Sequence, residues 1–200
     1  GMTSLFPMFL KLEGRACLVV GAGTVAEGKI NGLLLSGAAV HVVAPRANAA
    51  VADWARAGTI RWEARAFSPA ALDGVFLVIV ATSSKDVNEA VFREAQRRNI
   101  LCNVVDDPEH CDFYYTAVVR RGQLQIAIST AGESPALAQK LRRELETQYG
   151  PEYESWIEHL GKSRRELFAR NIDAEERRRR LHELASEPPV TELINKGERS

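Results

Sequence analysis

Short apolar segments and longer mixed segments of apolar and polar residues alternate along the first half of the chain. Continuous apolar runs are typical of strands that are buried on both faces. Strands are predicted in five segments, at residues 16–20, 39–43, 60–64, 75–81 and 101–105. Helices are predicted between them, among them one from about 48 to 57 and one ending near 98, with Ser84 or Asp86 as N-cap of the latter. Because strands that alternate with helices pair in parallel, the pattern predicts a doubly wound α/β sheet over residues 1–113.

The pattern changes after residue 113. Two strand-like segments between residues 114 and 129 are separated only by Arg121-Gly122, and so short a link favours an antiparallel hairpin. A helix is then predicted to begin at Pro135, with Ser134 as its N-cap. We therefore predict that residues 114–150 form a small α+β dimerisation region.

Residues 151–200 form a third predicted region, which is helical and strongly charged. Its helices have thin apolar faces, which cannot make a core by themselves. They must therefore pack on the first domain or on a second copy of the chain, and we expect a homodimer.

A glycine-rich turn follows the first predicted strand and opens the first predicted helix. Its sequence is Gly21-Ala22-Gly23-Thr24-Val25-Ala26, a Gly-x-Gly-x-x-Ala turn in the context of a Rossmann-like fold. Gly21 allows the tight turn, and Gly23 lets the backbone approach a pyrophosphate closely. The helix N-terminus offers unpaired N–H groups to the phosphates. The turn therefore predicts a dinucleotide site, the alternative being a glycine turn that binds nothing.

Composition and charge limit the kinds of molecule that the chain is expected to bind and the compartment in which it is expected to lie. Basic and acidic residues both number 26, so the net charge gives no indication of nucleic acid or of a membrane surface. The longest apolar runs are too short to span a bilayer, and no signal peptide is recognised. The three cysteines, Cys17, Cys102 and Cys111, are odd in number and widely spaced, which favours a reducing cytoplasm. His110 beside Cys111 matches no zinc spacing, so no metal site is predicted.

Polar residues end three of the predicted parallel strands, at the edge where open α/β sheets bind ligands. Pro45 and Arg46 follow the second strand, where no acidic residue is present to hold a ribose hydroxyl. Arg46 either grips a 2′-phosphate or is solvated, so NAD and NADP both stay open. Thr82 either contacts the cofactor or belongs to a helix-capping loop. Asn103 and Asp106 end the fifth strand, where Asn103 is predicted to contact substrate and Asp106 is either a general base or a turn residue.

A loop of small polar residues precedes the predicted helix at 135. Ser129, Thr130 and Ser134 in this loop either bind an anionic group with the helix N-terminus or simply cap the helix, and both interpretations stay open. Arg121 and Arg142 are placed near the hairpin and this loop, where they can line an anion cleft. Together with Asn103, these five residues are the predicted substrate contacts.

Five blocks of the sequence together resemble the precorrin-2 dehydrogenases, the dehydrogenase–ferrochelatase portions of siroheme synthases. The blocks are Gly-Ala-Gly-Thr-Val-Ala-Glu-Gly-Lys at 21–29, Val-Val-Ala-Pro at 42–45, Ala-Thr-Ser-Ser at 81–84, Cys-Asn-Val-Val-Asp-Asp at 102–107 and Ile-Ser-Thr-Ala-Gly-Glu-Ser-Pro-Ala-Leu-Ala-Gln-Lys-Leu-Arg at 128–142. The resemblance covers residues 5–149, and the chain is expected to be a stand-alone form without a methyltransferase domain.

The resemblance implies NAD-dependent oxidation of precorrin-2 to sirohydrochlorin and, in some members, insertion of ferrous iron. It implies that Asp106 takes a proton and serves metal insertion. It also implies contacts with NAD from four residues: Thr24, Val25, Pro45 and Arg46. Thr130 stands where some members carry a regulatory phosphoserine.

Two other functions stay open from the residues alone. A reductase of a small carbonyl substrate requires a catalytic lysine, histidine or tyrosine in a substrate domain, and the sequence offers no convincing candidate. A regulatory module that senses NAD(H) requires a DNA-binding or channel-linked segment, and the charged tail has no clear helix-turn-helix signature.

Overall fold

The computed structural model describes residues 3–189. Within this range the chain divides into two compact units, the first ending at Tyr114 and the second beginning at Tyr115. The predicted division into 1–113, 114–150 and 151–200 remains a proposal, and its last residues, 190–200, lie outside the described part.

The first unit is built on a parallel sheet with helices between its strands. Its elements are, in chain order, β1 (Ala16–Val20), α1 (Thr24–Leu35), β2 (Ala39–Val43), α2 (Ala49–Arg56), β3 (Arg61–Glu63), β4 (Leu77–Val80), α3 (Lys85–Arg97) and β5 (Leu101–Val104). The strand order is β3-β2-β1-β4-β5, and every pairing is parallel. This is the predicted Rossmann-like doubly wound sheet.

The register of the strands brings their carboxyl ends to one edge of the sheet. Val20 at the end of β1 pairs with Val43 of β2 and with Val80 of β4, and Val80 pairs with Val104 of β5. The segments that follow β1, β2, β4 and β5 therefore begin side by side. This edge carries all the cofactor residues that the sequence predicts.

The central strands form the core because apolar side chains cover both faces of the sheet. All four residues of β4 are buried, as are four of the five in β1. One cluster packs α1 and α2 onto the first face, and a second packs α3 and the 3₁₀ turn at Pro69–Leu72 onto the other. Burial of this apolar area is the main stabilising term of the unit.

The structure refines several predicted boundaries. β3 and β4 are shorter than predicted, because the residues at their ends turn away into loops. Ser84, and not Asp86, is the N-cap of α3, since its hydroxyl accepts from the Val87 amide at 3.3 Å. Asp86 lies inside the first turn, where its charge still favours the positive end of the helix.

The second unit contains a two-stranded antiparallel hairpin and three helices. The hairpin pairs β6 (Ala117–Arg121) with β7 (Leu124–Ile128), and the helices are α4 (Pro135–Gln148), α5 (Glu152–Ala169) and α6 (Ala174–Ser186). Gly122 in the hairpin turn has φ of +60°, a conformation that glycine adopts without strain. Val119, Trp156 and Leu167 are buried within this unit. Across residues 3–189, every helix is too short or too polar to span a lipid bilayer.

Candidate active site

Gly21 is fixed by the packing of the sheet. Its φ is +115°, and its amide donates to the carbonyl of Val43 at 3.0 Å. A Cβ at this position would lie 2.3 Å from the backbone oxygen of Ala81, which follows β4. The close approach of the turn to β4 therefore requires glycine here, whatever binds at the turn.

Gly23 has a different environment. Its backbone is extended, with φ of −96°, and no atom lies within 4 Å of the position that a Cβ would take. The protein's own packing gives no reason for a glycine at this exposed position. A side chain would instead fill space in front of the helix, which is the space that a close ligand would use.

The N-terminus of α1 fits a pyrophosphate. Gly23 is its N-cap and supplies no side-chain hydrogen bond, and the first helical bond runs from the Glu27 amide to the Gly23 carbonyl at 2.9 Å. The amides of Thr24 and Val25 precede that bond, so they have no acceptor within the helix. Both residues are exposed. Backbone N–H groups and the positive helix end are the donors that bound phosphates use.

The loop after β2 begins beside the glycine turn at the carboxyl edge of the sheet, and the space in front of this edge is called the crevice below. Pro45 and Arg46 are exposed there, as the sequence placed them, and the loop is tied to the glycine turn through Asn48. The Asn48 amide donates to Ala22 O, and its side chain donates to the Glu27 carboxylate, both at 2.9 Å. Sequence analysis did not identify Asn48 as a site residue. The available signal for Asn48 was its position as a helix N-cap, three residues before Val51, whose amide donates to the Asn48 side chain.

Thr82 belongs to a helix-capping loop. Its hydroxyl donates to the side-chain oxygen of Asn88 and accepts from the Ser84 amide at 3.2 Å. The Asn88 side chain also donates to the Thr82 carbonyl at 3.1 Å. Of the two interpretations left open by the sequence, the capping loop is therefore the one that these contacts support, because the hydroxyl is already used within the protein.

Asp106 lies in the turn that follows β5, at the same edge of the sheet as the glycine turn. It is exposed and has φ of +61°, the left-handed conformation that aspartate tolerates better than most residues. The turn is closed by a hydrogen bond from the Asp107 amide to the Val104 carbonyl at 3.1 Å. The Asp107 carboxylate contacts His110 Nδ1 at 2.6 Å, so Asp106 is the carboxylate that this turn leaves exposed at the edge.

Lys29 of α1 is a charged neighbour of Asp106 that sequence analysis did not include in the site. Its side chain is half-buried, and burial lowers the pKa of its ammonium group. The Asp106 carboxylate acts in the opposite direction and raises that pKa. Lys29 and Asp106 therefore interact electrostatically.

Asn103 does not present its side chain to the crevice. It is 5% exposed, and its side-chain amide donates to the carbonyl of Phe113 at 2.8 Å. The side chain fixes the segment that returns from the Asp106 turn, and its contact with substrate remains a prediction. The pairing partner lies ten residues away along the chain, which no local pattern indicated.

The cysteines of this unit are poor nucleophiles. Burial raises the pKa of Cys17 to about 11 and that of Cys102 to about 12. The Cys111 thiol donates to the carbonyl of Val104 at 3.1 Å, and burial raises its pKa as well. Among residues 3–189, no group of three histidine, cysteine, aspartate or glutamate side chains is arranged to hold a metal ion.

The two predicted arginines of the second unit are engaged in contacts within the protein. Arg121 donates to the carbonyls of Arg120, Glu146 and Tyr149 at 2.9–3.2 Å, and therefore caps the end of α4. Arg142 forms an ion pair with Glu146 at 2.6 Å. Donors of both arginines are thus used within the protein, and a role of the two residues in an anion cleft remains a prediction.

The loop before α4 is organised by its own hydroxyl groups. Ser129 accepts from the Ala131 amide at 3.1 Å, Thr130 from the Ser134 amide at 3.0 Å, and Ser134 from the Leu137 amide at 3.1 Å. Ser134 is thus the N-cap of α4, as predicted. The capped helix start is the interpretation that these bonds support, and an anion contact by this loop remains a prediction.

Comparison with known proteins places this geometry in a family. A family described as NAD(P)-binding matches residues 8–117, and one described as sirohaem biosynthesis protein central matches residues 121–148. The chain belongs to the siroheme synthase family. The match to the NAD(P)-binding family covers the first unit, which contains the glycine turn.

The relatives agree over most of the chain. The siroheme synthase of Methylobacillus flagellatus is 48% identical over 141 residues, which are 70% of this chain and 30% of that protein. The siroheme synthase of Methylococcus capsulatus is 39% identical over 191 residues, 96% of this chain and 40% of that protein. The chain thus spans less than half the length of these siroheme synthases.

A solved structure matches nearly the whole chain. It is named SirC, precorrin-2 dehydrogenase, and has a TM-score of 0.81 and 29% identity, covering 98% of this chain and all of that one. The fold of this siroheme synthase family member is therefore shared by a protein of similar length.

Proposed function

We propose that this chain catalyses the NAD-dependent oxidation of precorrin-2 to sirohydrochlorin. The observation that carries the proposal is the exposed Asp106 carboxylate at the sheet edge that also holds the glycine turn. Similarity to a precorrin-2 dehydrogenase over nearly the full chain supports the substrate. Neither rival reading, a sensor or a small-carbonyl reductase, accounts for that similarity.

Some residues of the crevice bind the dinucleotide, and one accepts the proton from the substrate. The amides of Thr24 and Val25 bind the pyrophosphate, with Gly23 leaving room for it. Pro45 and Arg46 flank the adenosine end of the dinucleotide. NAD supplies the hydride acceptor when it is bound. Asp106 accepts the proton that the macrocycle releases, which conserves charge as one hydride and one proton leave the substrate.

Turnover of an Asp106→Asn variant tests the proposal. The variant keeps the shape of the side chain and the left-handed backbone, but it removes the base. We expect NADH formation with precorrin-2 to fall at least about a hundredfold, the usual range for loss of a general base. Asp86→Asn is the matched control, because Asp86 is another exposed carboxylate in the first turn of α3. Near-wild-type turnover of the Asp106→Asn variant removes Asp106 from the mechanism.

Binding of a tetrapyrrole separates the proposal from its rivals. The purified chain is titrated first with NAD and then with sirohydrochlorin, and each is followed by fluorescence quenching. We expect both to bind. A dinucleotide sensor or a reductase of a small carbonyl compound binds NAD and leaves sirohydrochlorin unbound, and that outcome overturns the assignment of substrate.

Ferrous iron is proposed as a further substrate. Iron insertion needs a base for the pyrrole protons at an accessible position, and the exposure of Asp106 supports that role. The absorbance of the metallated product is followed with ferrous iron, with and without the chain. Equal rates in both arms restrict the protein to the dehydrogenase step.

We also propose that the chain forms a homodimer. The support is a run of exposed apolar residues near the N-terminus, in which Phe6, Met8 and Phe9 are 84%, 61% and 67% exposed. A continuous apolar segment of this kind marks an interaction surface more often than a solvated one. Light scattering gives the mass of the wild type and of a Phe6→Ser, Phe9→Ser variant, and a monomeric wild type refutes the dimer.

The three free cysteines support a reducing, cytoplasmic setting.

A further inference from the structure

Lys29 is placed to reach the carboxyl edge of the sheet. It follows the first residue of α1 by five positions, which places it about 7.5 Å along the helix at 1.5 Å per residue. Side chains on a helix lean back towards its N-terminus. Its neighbours Ala26 and Ile30 are fully buried against the sheet, whereas Lys29 is half-buried. The lysine stem therefore lies beside the core, and its ammonium group extends towards the crevice.

The Asp106 turn lies on the same side of the sheet as Lys29. Val105 and Phe113, which flank the turn in sequence, pack against the same apolar cluster as Ala26 and Ile30. Both segments therefore lie on one face and at one edge of the sheet, with the Lys29 and Asp106 side chains within range of an electrostatic effect. The electrostatic effect of Asp106 on Lys29, described above, is the consequence of this arrangement.

We propose that Lys29 is a positioning residue that acts through Asp106, with its ammonium group holding the carboxylate in the crevice. The proposal rests on the proposed function, in which Asp106 takes the substrate proton. An exposed carboxylate on a short turn samples several rotamers, and a nearby cation restricts it to those that face the helix. Lys29 has no proposed contact with the reacting atoms.

A double-mutant cycle tests the proposal by kinetics. The variants are Lys29→Met, which keeps the apolar stem, Asp106→Asn and the pair of changes together. We expect Lys29→Met to lower kcat with precorrin-2 roughly tenfold, equivalent to about 1.4 kcal/mol, and to leave the Kd for NAD unchanged. Lys29→Arg should recover most of the rate, because it restores the positive charge. In the Asp106→Asn background, Lys29→Met should cost nothing more.

The controls and the refuting results are specific. Lys85→Met is the matched control, because Lys85 is exposed at the start of α3 and should keep the wild-type rate. If Lys29→Met lowers the rate by the same factor in both backgrounds, the lysine acts independently of Asp106 and the proposal is wrong. A wild-type rate for Lys29→Met refutes it as well.

A measurement without turnover keeps this inference separate from the proposed function. The pKa of Lys29 is followed by NMR of isotopically methylated lysines, assigned with the Lys29→Arg variant. Because the Asp106 carboxylate raises that pKa, Asp106→Asn should shift it further below the ordinary value. An unchanged pKa shows that the two groups are not paired and overturns the inference. If the pKa shifts but Asp106→Asn retains full turnover, the pair exists and the proposed role of Asp106 in catalysis is wrong.

Discussion

Replacing Gly21 with alanine should destabilise the fold more than any other change in the glycine turn. The added Cβ would lie 2.3 Å from the Ala81 backbone oxygen, a distance that real Cβ atoms essentially never show. The contact is bracketed by two hydrogen bonds, from the Gly21 amide to Val43 at 3.0 Å and from the Ala81 amide to Val20 at 2.8 Å. The strands therefore cannot move apart without weakening the sheet at its centre.

The size of the effect follows from two costs. A residue other than glycine at φ of +115° carries strain of about 1–3 kcal/mol. Forcing a methyl group into a close-packed region costs about 1–3 kcal/mol more. Gly21→Ala should thus lower the free energy of unfolding by about 2–6 kcal/mol, a large part of the roughly 5–15 kcal/mol typical of a domain.

Gly23→Ala is the matched comparison. Gly23 has an ordinary φ of −96° and open space around its Cβ position, so the loss of stability should stay below about 1 kcal/mol. The methyl group would nevertheless occupy space in front of the helix N-terminus. We expect at least a tenfold weaker Kd for NAD, which corresponds to about 1.4 kcal/mol.

Urea unfolding and NAD titration of both variants distinguish these effects. Unfolding is followed by tryptophan fluorescence, to which Trp54 and Trp62 of the first unit contribute. The Trp62 indole N–H donates to the Ala44 carbonyl at 3.0 Å. Wild-type stability of Gly21→Ala would refute the argument from the Ala81 contact. A Gly23→Ala variant that is as unstable as Gly21→Ala, or that binds NAD normally, would show that Gly23 serves the fold and not the ligand.

Three further predictions follow from other contacts. Hydrogen bonds from Arg97 and Arg98 lower the pKa of Glu94 to about 2 from an ordinary value of 4.5. The contribution of Glu94 to stability is therefore complete above pH 4.5 and is lost as the pH falls towards 2. Glu94→Gln should remove this part of the acid dependence of the urea midpoint. Arg121→Ala should lower the free energy of unfolding by about 2 kcal/mol, because three carbonyl groups lose a charged donor, and an unchanged urea midpoint would contradict this. Cys102 should resist a thiol reagent at pH 8 until the protein unfolds, because burial holds its pKa near 12, and rapid labelling of the native protein would contradict that burial.

The sequence was sufficient for the architecture of the first unit because its signals are local and mutually consistent. The apolar runs, the glycine turn and Ser84 before α3 each specify a strand, a turn or a helix start. The ends of β3 and β4 were less certain, because apolar residues continue beyond the last ladder bond. Val75, for example, is apolar but lies before the start of β4 at Leu77.

The side-chain contacts of the candidate site were only partly predictable. Position along the chain was enough to place Asp106 and Arg46 at the carboxyl edge, since the topology of a parallel sheet dictates that edge. Position along the chain was not enough for Asn103, whose partner lies 10 residues away. It was not enough for Arg121 either, which contacts the adjacent Arg120 carbonyl and two carbonyls 25–28 residues away. A polar residue near a site can form hydrogen bonds equally well with a ligand or with an unpaired backbone group, and only the tertiary structure decides which of the two it contacts.

The choice of aspartate at position 106 is best explained by its charge. The left-handed backbone, with φ of +61°, would accept asparagine equally well and glycine with no strain. The local turn does not depend on the Asp106 carboxylate either, since Asp107 makes the contact with His110 and closes the turn through its amide. What asparagine and glycine lack is a negative charge beside Lys29, and a charge that the backbone does not need points to a chemical role at the crevice.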